Sequence, residues 1–318
     1  DPVYAEGNEY SDDNSGAWYH YSGCIFCSIL SGCGSSSKSS SSEPPVYSPL
    51  RVLVPEAPGS DTLGSSPLTL DVSNITQGYF AAQSDSADLV TSLQITAPTG
   101  VLYSYFIEPG ENAVIPFTEG DGDYTVVGYQ QIQGDQYAAL YSETLTVELE
   151  NEFLPFLYPN QYVNFSPDSE ASKLALSMVS ENTSDIDALK QIYNYVVNNL
   201  SYDYDKAETV ETGYLPDVDE TLSTKTGICF DYAALTTAML RSCDIPCKLQ
   251  IGYTGDIKHA WIDVYIRSKG WVTNAVSFNG DSWSLMDPTF DSSADSDDSE
   301  AIQDYIGNAD NYTVQFTR

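Results

Sequence analysis

Between Pro67 and Glu148 apolar positions recur every second residue: Leu68, Leu70 and Val72, then Leu93, Ile95 and Ala97, then Leu145, Val147 and Leu149. Such alternation gives a strand one face for a core and one for water. Pro98-Thr99-Gly100, Pro109-Gly110 and Gly120-Asp121-Gly122 break the runs as turns. Short strands at this spacing predict a β-sandwich over residues 66–150. From Phe153 the period lengthens. Ala171, Leu174, Ala175, Met178 and Val179 fall on one helical face. Ile186, Leu189, Ile192, Tyr193, Val196, Val197 and Leu200 make a stronger stripe behind a cap at Ser184. A third helix is expected to begin near Cys229 and to bury Ala233, Leu235, Ala238 and Met239. Strands follow at 248–253, 260–266, 271–276 and 282–286. Helices first and an antiparallel sheet afterwards is an α+β order for residues 151–318.

The first 65 residues carry no such pattern. Ser35 to Ser42 is almost unbroken serine, and Pro44, Pro45, Pro49, Pro55 and Pro58 follow. Segments of this kind bury too little apolar surface to offset chain entropy, so residues 1–65 read as a low-complexity arm or stalk. Cys24, Cys27 and Cys33 lie in it, with His20 as the one candidate for a fourth zinc ligand; disulfides or plain thiols are the simpler reading. Cys243 and Cys247 are close enough in sequence to close a small disulfide loop in an oxidising compartment.

Charge narrows the function classes. The 318 residues include 46 acidic and 12 basic side chains, a formal net charge of −34. Nucleic acid and anionic lipid need Lys and Arg to neutralise phosphates, so neither is an expected partner. A coenzyme carrying phosphates is excluded on the same ground, and no cofactor is expected. No apolar run reaches the ~18 residues of a membrane span. The first residues carry no basic-then-apolar leader, so the composition reads as a secreted or surface-displayed chain whose signal peptide is already removed.

Three residues offer chemistry. Cys229, in Gly227-Ile228-Cys229-Phe230-Asp231, opens the third helix behind a glycine that lets the backbone turn sharply. The positive end of a helix dipole there favours a thiolate, the form of cysteine that attacks electrophiles. His259 begins a strand in His259-Ala260-Trp261 and is the sole histidine outside the arm, so a multi-histidine metal site is excluded. Asp287, in Asp287-Pro288-Thr289, follows the last predicted strand and can accept an imidazole N–H, which fixes the ring's tautomer. Each has a structural reading of its own: a small buried cysteine, a strand-edge histidine, an Asp-Pro turn.

Together, in this order, the three signatures resemble the transglutaminase-like superfamily, with its Gly-x-Cys helix start, His-Ala-Trp strand and later Asp-Pro-Thr. Tyr202-Asp203 after an amphipathic helix, and the step from Arg241 to Pro246, are similar to bacterial members. Gly122-Asp123-Tyr124-Thr125-Val126-Val127 in turn resembles a late strand of bacterial immunoglobulin-like modules. The first resemblance implies a papain-like α+β core, its nucleophile helix packed on an antiparallel sheet. It implies Cys229 as nucleophile, His259 as general base and acid, and Asp287 as orienter. The Cys229 backbone N–H and an upstream side chain, Tyr202 or Tyr204, would hold the oxyanion. The expected activity is acyl transfer from protein or peptide amides through a thioester, ending in hydrolysis or transamidation. Cell-wall or surface components are further expected partners. The alternative is a non-catalytic surface binding or structural protein that retains the triad. No calcium loop is evident, and Cys243 and Cys247 depart from the small residues common in the family.

Overall fold

The fold is taken from a computed structural model, which describes residues 43–278, 283–285 and 312–318. In chain order the first strands are β1 (Thr62–Ser65), β2 (Leu68–Asp71), β3 (Tyr79–Ser84), β4 (Thr91–Thr96) and β5 (Leu102–Ile107). Then come β6 (Asn112–Pro116), β7 (Gly122–Gln133) and β8 (Gln136–Val147). They form two four-stranded antiparallel sheets, ordered β1-β2-β3-β6 and β5-β4-β7-β8. The alternating residues read from the sequence meet between the sheets: Leu68, Leu70, Val72, Leu93, Ile95, Ala97, Leu145 and Val147 are all buried there. Tyr124, near the start of β7, donates its hydroxyl to the Gly120 carbonyl at 2.9 Å and accepts the Glu119 N–H at 3.1 Å. That loop-back ties the turn at 119–120 to the start of β7.

Residues 43–61 depart from the expected loose arm. They form no helix or strand, yet Val52 and Leu53 are buried, and Leu53 packs with Leu154 and Leu157. The Tyr47 N–H reaches the Asp244 carboxylate at 3.1 Å. A few apolar side chains spaced among prolines suffice to dock an extended segment that has no periodicity of its own.

The second half begins with α1 (Glu170–Met178) and α2 (Asp185–Asn199). Ser184 caps α2, its side chain accepting the Asp187 N–H at 3.1 Å. Three short pieces follow: β9 (Ser201–Tyr202), α3 (Tyr204–Thr209) and α4 (Val218–Thr224). Next come β10 (Thr226–Gly227) and the central helix α5 (Cys229–Ser242). The sheet is built from β11 (Cys247–Thr254), β12 (Ile257–Ile266), β13 (Gly270–Phe278), β14 (Trp283–Leu285) and β15 (Tyr312–Thr317). Its order is β14-β13-β12-β11-β15, antiparallel throughout. Every residue of α5 from Phe230 to Ser242 is buried, so the helix is enclosed by α1, α2, α4 and the sheet.

α3, α4 and β15 were not visible in the sequence pattern. The two helices have six and seven residues, too few for a periodic stripe. β15 comes from far along the chain and is defined by its pairing with β11. Cys243 and Cys247 are buried free thiols rather than the disulfide loop their spacing allows; Cys247 Sγ contacts the Thr237 hydroxyl at 3.5 Å. Among the described residues no helix is long and apolar enough to cross a membrane. Cys24, Cys27, Cys33 and His20 lie outside the described residues.

Candidate active site

α5 starts at Cys229 because Ile228 before it is extended and the carboxylate three residues on turns back to it. Asp231 Oδ2 accepts the Ile228 N–H at 2.8 Å, satisfying one of the amides that a helix leaves unbonded at its start. Gly227 is required here, though not for the sharp turn read from the sequence. Its φ is not left-handed; a Cβ on it would lie 2.6 Å from Asp231 Cβ and 3.0 Å from Oδ2. The glycine of Gly-Ile-Cys makes room for the aspartate of the same motif.

β10 pairs in parallel with β9, placing Tyr202 opposite Gly227. The Cys229 backbone N–H consequently donates to the Tyr202 hydroxyl. Of the two tyrosines offered for the oxyanion, Tyr202 is brought to the Cys229 amide. Tyr204 is 58% exposed and meets Tyr202 edge-on, with ring centroids 4.9 Å apart.

α5 packs on β12. The half-buried thiol of Cys229 lies against the backbone N–H of Ala260, and Phe230 and its own amide also donate toward it. Ala260 directly follows His259 in β12, so the helix start lies against the strand segment that carries the histidine. His259 is half-buried, stacks with Trp261 at 6.2 Å and stands opposite Gly252 of β11. Gly252 leaves no room for a side chain: a Cβ there would lie 1.9 Å from the Thr313 carbonyl oxygen of β15. Asp287 lies outside the described residues.

The electrostatics correct the expected resting thiolate. Burial pushes the Cys229 thiol up to about 11, outweighing the N–H groups of Ala260, Phe230 and Cys229 that favour the anion. Burial also lowers His259 to about 4. Both effects disfavour charge, so burial favours the neutral form of each group. Burial holds the Tyr202 hydroxyl well above the usual phenol range, so Tyr202 stays protonated.

A second layer escaped the sequence reading. Asp231 is fully buried; besides the Ile228 amide, it takes the Lys206 ammonium on Oδ2 at 2.8 Å and the Tyr214 hydroxyl on Oδ1 at 2.5 Å. Lys206 also donates to the Tyr214 hydroxyl at 2.7 Å. Asp at the third helical position after Cys229 was the one available signal, since acidic residues there cap helix starts. Among the described residues no group of three or more His, Cys, Asp or Glu is placed to hold a metal ion.

Residues 172–288 match the model of the Transglutaminase-like superfamily. Among curated proteins, a 62-residue stretch is 40% identical to the UPF0252 protein MJ1282 of Methanocaldococcus jannaschii and covers 18% of each chain. A 183-residue stretch is 24% identical to the uncharacterized protein YebA of Bacillus subtilis, covering 50% of this chain and 25% of that one. The chain thus spans 18% and 25% of the length of these relatives. Among solved structures, a candidate cysteine protease from Cytophaga hutchinsonii is 16% identical, with a TM-score of 0.33 over 67% of this chain and 77% of the other. A candidate protease from Parabacteroides distasonis is 13% identical, with a TM-score of 0.28 over 67% of this chain and 62% of the other.

Proposed function

We propose, on the premise that this chain belongs through residues 172–288 to the transglutaminase-like superfamily, that it is a cysteine-dependent acyl-transfer enzyme acting on protein or peptide amides. The observation that carries the reading is the thiol of Cys229, set at the start of α5 against the N–H of the residue after His259. In the proposed reaction His259 takes the Cys229 proton as sulfur bonds to the amide carbonyl carbon. The tetrahedral oxyanion is held by the Cys229 N–H and the Tyr202 hydroxyl. The C–N bond then breaks, His259 returns the proton to the leaving amine, and a thioester remains on sulfur. Water or a primary amine attacks the thioester, gives its proton to His259, and releases the thiol. Asp287, on the resemblance of its Asp-Pro-Thr motif, would orient His259.

A neutral resting pair suits this sequence, because the proton moves only as the substrate arrives. Secretion or surface display remains part of the proposal and rests on composition. The test is a set of glutamine- and asparagine-containing peptides incubated with enzyme, with and without a primary amine, and followed by mass spectrometry. Acid or amine-exchanged product that Cys229→Ala abolishes, with a Cys229 acyl adduct in the wild type, supports the reading. Product formation that survives Cys229→Ala overturns it. A Cys229 that no peptide acylates would favour the binding-protein alternative.

A further inference from the structure

The carboxylate of Asp231 is two residues from the proposed nucleophile and has no exposed surface. Left alone, a buried carboxylate at that distance opposes formation of a thiolate, and its charge is indeed among the influences that raise the Cys229 thiol. Three donors converge on it instead. Lys206 of α3 and Tyr214, from the loop between α3 and α4, bond to its two oxygens and to each other, and the Ile228 amide completes the set. The Lys206 ammonium also lies 4.4 Å from the centroid of the Tyr214 ring, and that ring meets Phe230 edge-on at 6.3 Å. The Tyr214 hydroxyl is held far above the ordinary phenol range, chiefly by burial and then by its bond to Asp231, so it stays a donor.

We infer that Lys206 and Tyr214 are positioning residues: they hold Asp231 as a charge-balanced cap under Cys229, which fixes the nucleophile's amide and sets the reactivity of its thiol. The inference deepens the proposed function, but what it claims is the setting of the Cys229 thiol, which holds whatever the substrate. The geometry explains why Gly227, Cys229 and Asp231 occur together. Gly227 admits the Asp231 side chain, Asp231 ties down the Ile228 amide, and the next amide, that of Cys229, is left to Tyr202. A carboxylate is the ligand that can take an ammonium, a hydroxyl and an amide at once. Other ionisable groups face the same region: Tyr202 and Tyr232 toward Asp231, and Lys258 of β12 toward Cys229. Of these groups, Lys206 bonds the carboxylate as a cation, at 2.8 Å.

The experiment uses the full chain and reads Cys229 alkylation by iodoacetamide, resolved by mass spectrometry, at a fixed pH of about 8. That is below the thiol's titration, where each unit of pKa shift changes the rate about tenfold. Lys206→Met strips the ammonium from a buried carboxylate and is expected to slow labelling about tenfold. Asp231→Asn keeps an oxygen for the Ile228 amide, removes the negative charge and is expected to speed labelling about tenfold. Combined, Lys206→Met and Asp231→Asn should return the rate to within about threefold of wild type. Tyr214→Phe, which deletes one oxygen, should slow labelling about threefold without loss of the fold. Thermal melts accompany each variant. A merely structural network would move all four rates in one direction, following stability. That outcome, or a Lys206→Met rate equal to wild type in a folded protein, overturns the inference. If Cys229 proves not to acylate on any peptide while the opposite-signed rate changes hold, the proposed function fails and the positioning of the thiol stands.

Discussion

At the scale of single residues, burial and the helix dipole pull the charge of Cys229 in opposite directions. Cys229 at a helix start was read as a thiolate because the macrodipole stabilises an anion there by about 0.3–1 kcal/mol. Enclosure between α5 and β12 works against the anion and wins, pushing the thiol up to about 11 while His259 falls to about 4. The sign is the same for both groups: folding favours neutral thiol and neutral imidazole. Iodoacetamide labelling of Cys229 should therefore be slower at pH 7 than that of a free cysteine thiol, and should climb about tenfold per pH unit through pH 8 and 9. A plateau reached below pH 7 would mean that a thiolate–imidazolium ion pair forms despite burial. Gly227 shows the matching limit of motif reading. Its place before the cysteine was legible, but its cause is a contact with Asp231, and nothing along the chain distinguishes a glycine that turns from one that yields space.

At the scale of elements, what was legible was what carried period and punctuation. α1, α2 and α5 and strands β11 to β14 fall within a few residues of their expected places, and the Ser184 cap makes its hydrogen bond. α3 and α4 are short, and what holds their ends is local: Asp203 accepts the Lys206 N–H, while Asp217 accepts those of Asp219 and Glu220. Such caps look like ordinary aspartates in a chain rich in them. β15 was invisible for a different reason, since a strand is completed by its partner. Its closest approach is at Gly252, where β11 and β15 change register and the Thr313 carbonyl oxygen occupies the place of a side chain. Gly252→Ala is expected to cost more than ~2 kcal/mol, because the obstacle is backbone and cannot rotate away. Urea unfolding measures it; a loss under ~0.5 kcal/mol would mean that β15 lifts off at no cost. Such a variant should also weaken His259's seat, since His259 stands opposite Gly252 in β12.

Across the whole molecule, buried cations join parts that are distant in sequence. Arg318 lies against the rings of Tyr103, Tyr105, Tyr162 and Phe316 and donates to the Tyr105 hydroxyl at 2.6 Å, tying the sheet of the second half to the sandwich. Arg241 bonds the carbonyls of Tyr158, Cys247 and Arg318. Arg267 gathers Asp185 of α2, the carbonyl and carboxylate of Asp244, and the Pro45 carbonyl of the leading segment. In a chain of net charge −34, few cations are available, and these three sit where segments meet. Asp244 bears the strain of that economy. Its side chain is 1% exposed, its backbone is left-handed at φ 61°, and its Oδ1 has no hydrogen-bond partner. Burial raises it to about 6, the Asp185 charge adds to the rise, and the Tyr47 N–H and Arg267 offset only part. A carboxyl whose folded value lies above its unfolded one contributes stability that is complete below about pH 4 and is lost as pH rises through about 6. Ionised at pH 7, Asp244 should cost on the order of 2–3 kcal/mol relative to its protonated form. Asp244→Asn keeps the shape, tolerates the left-handed backbone and cannot titrate. Wild type should therefore gain on the variant as pH falls from 7.5 to 4.5, by about 2–3 kcal/mol in urea unfolding, whatever the other carboxylates do to both proteins. A difference that stays constant across that range would show that Arg267 fully compensates the charge, and that the clasp on the leading segment is insensitive to acid.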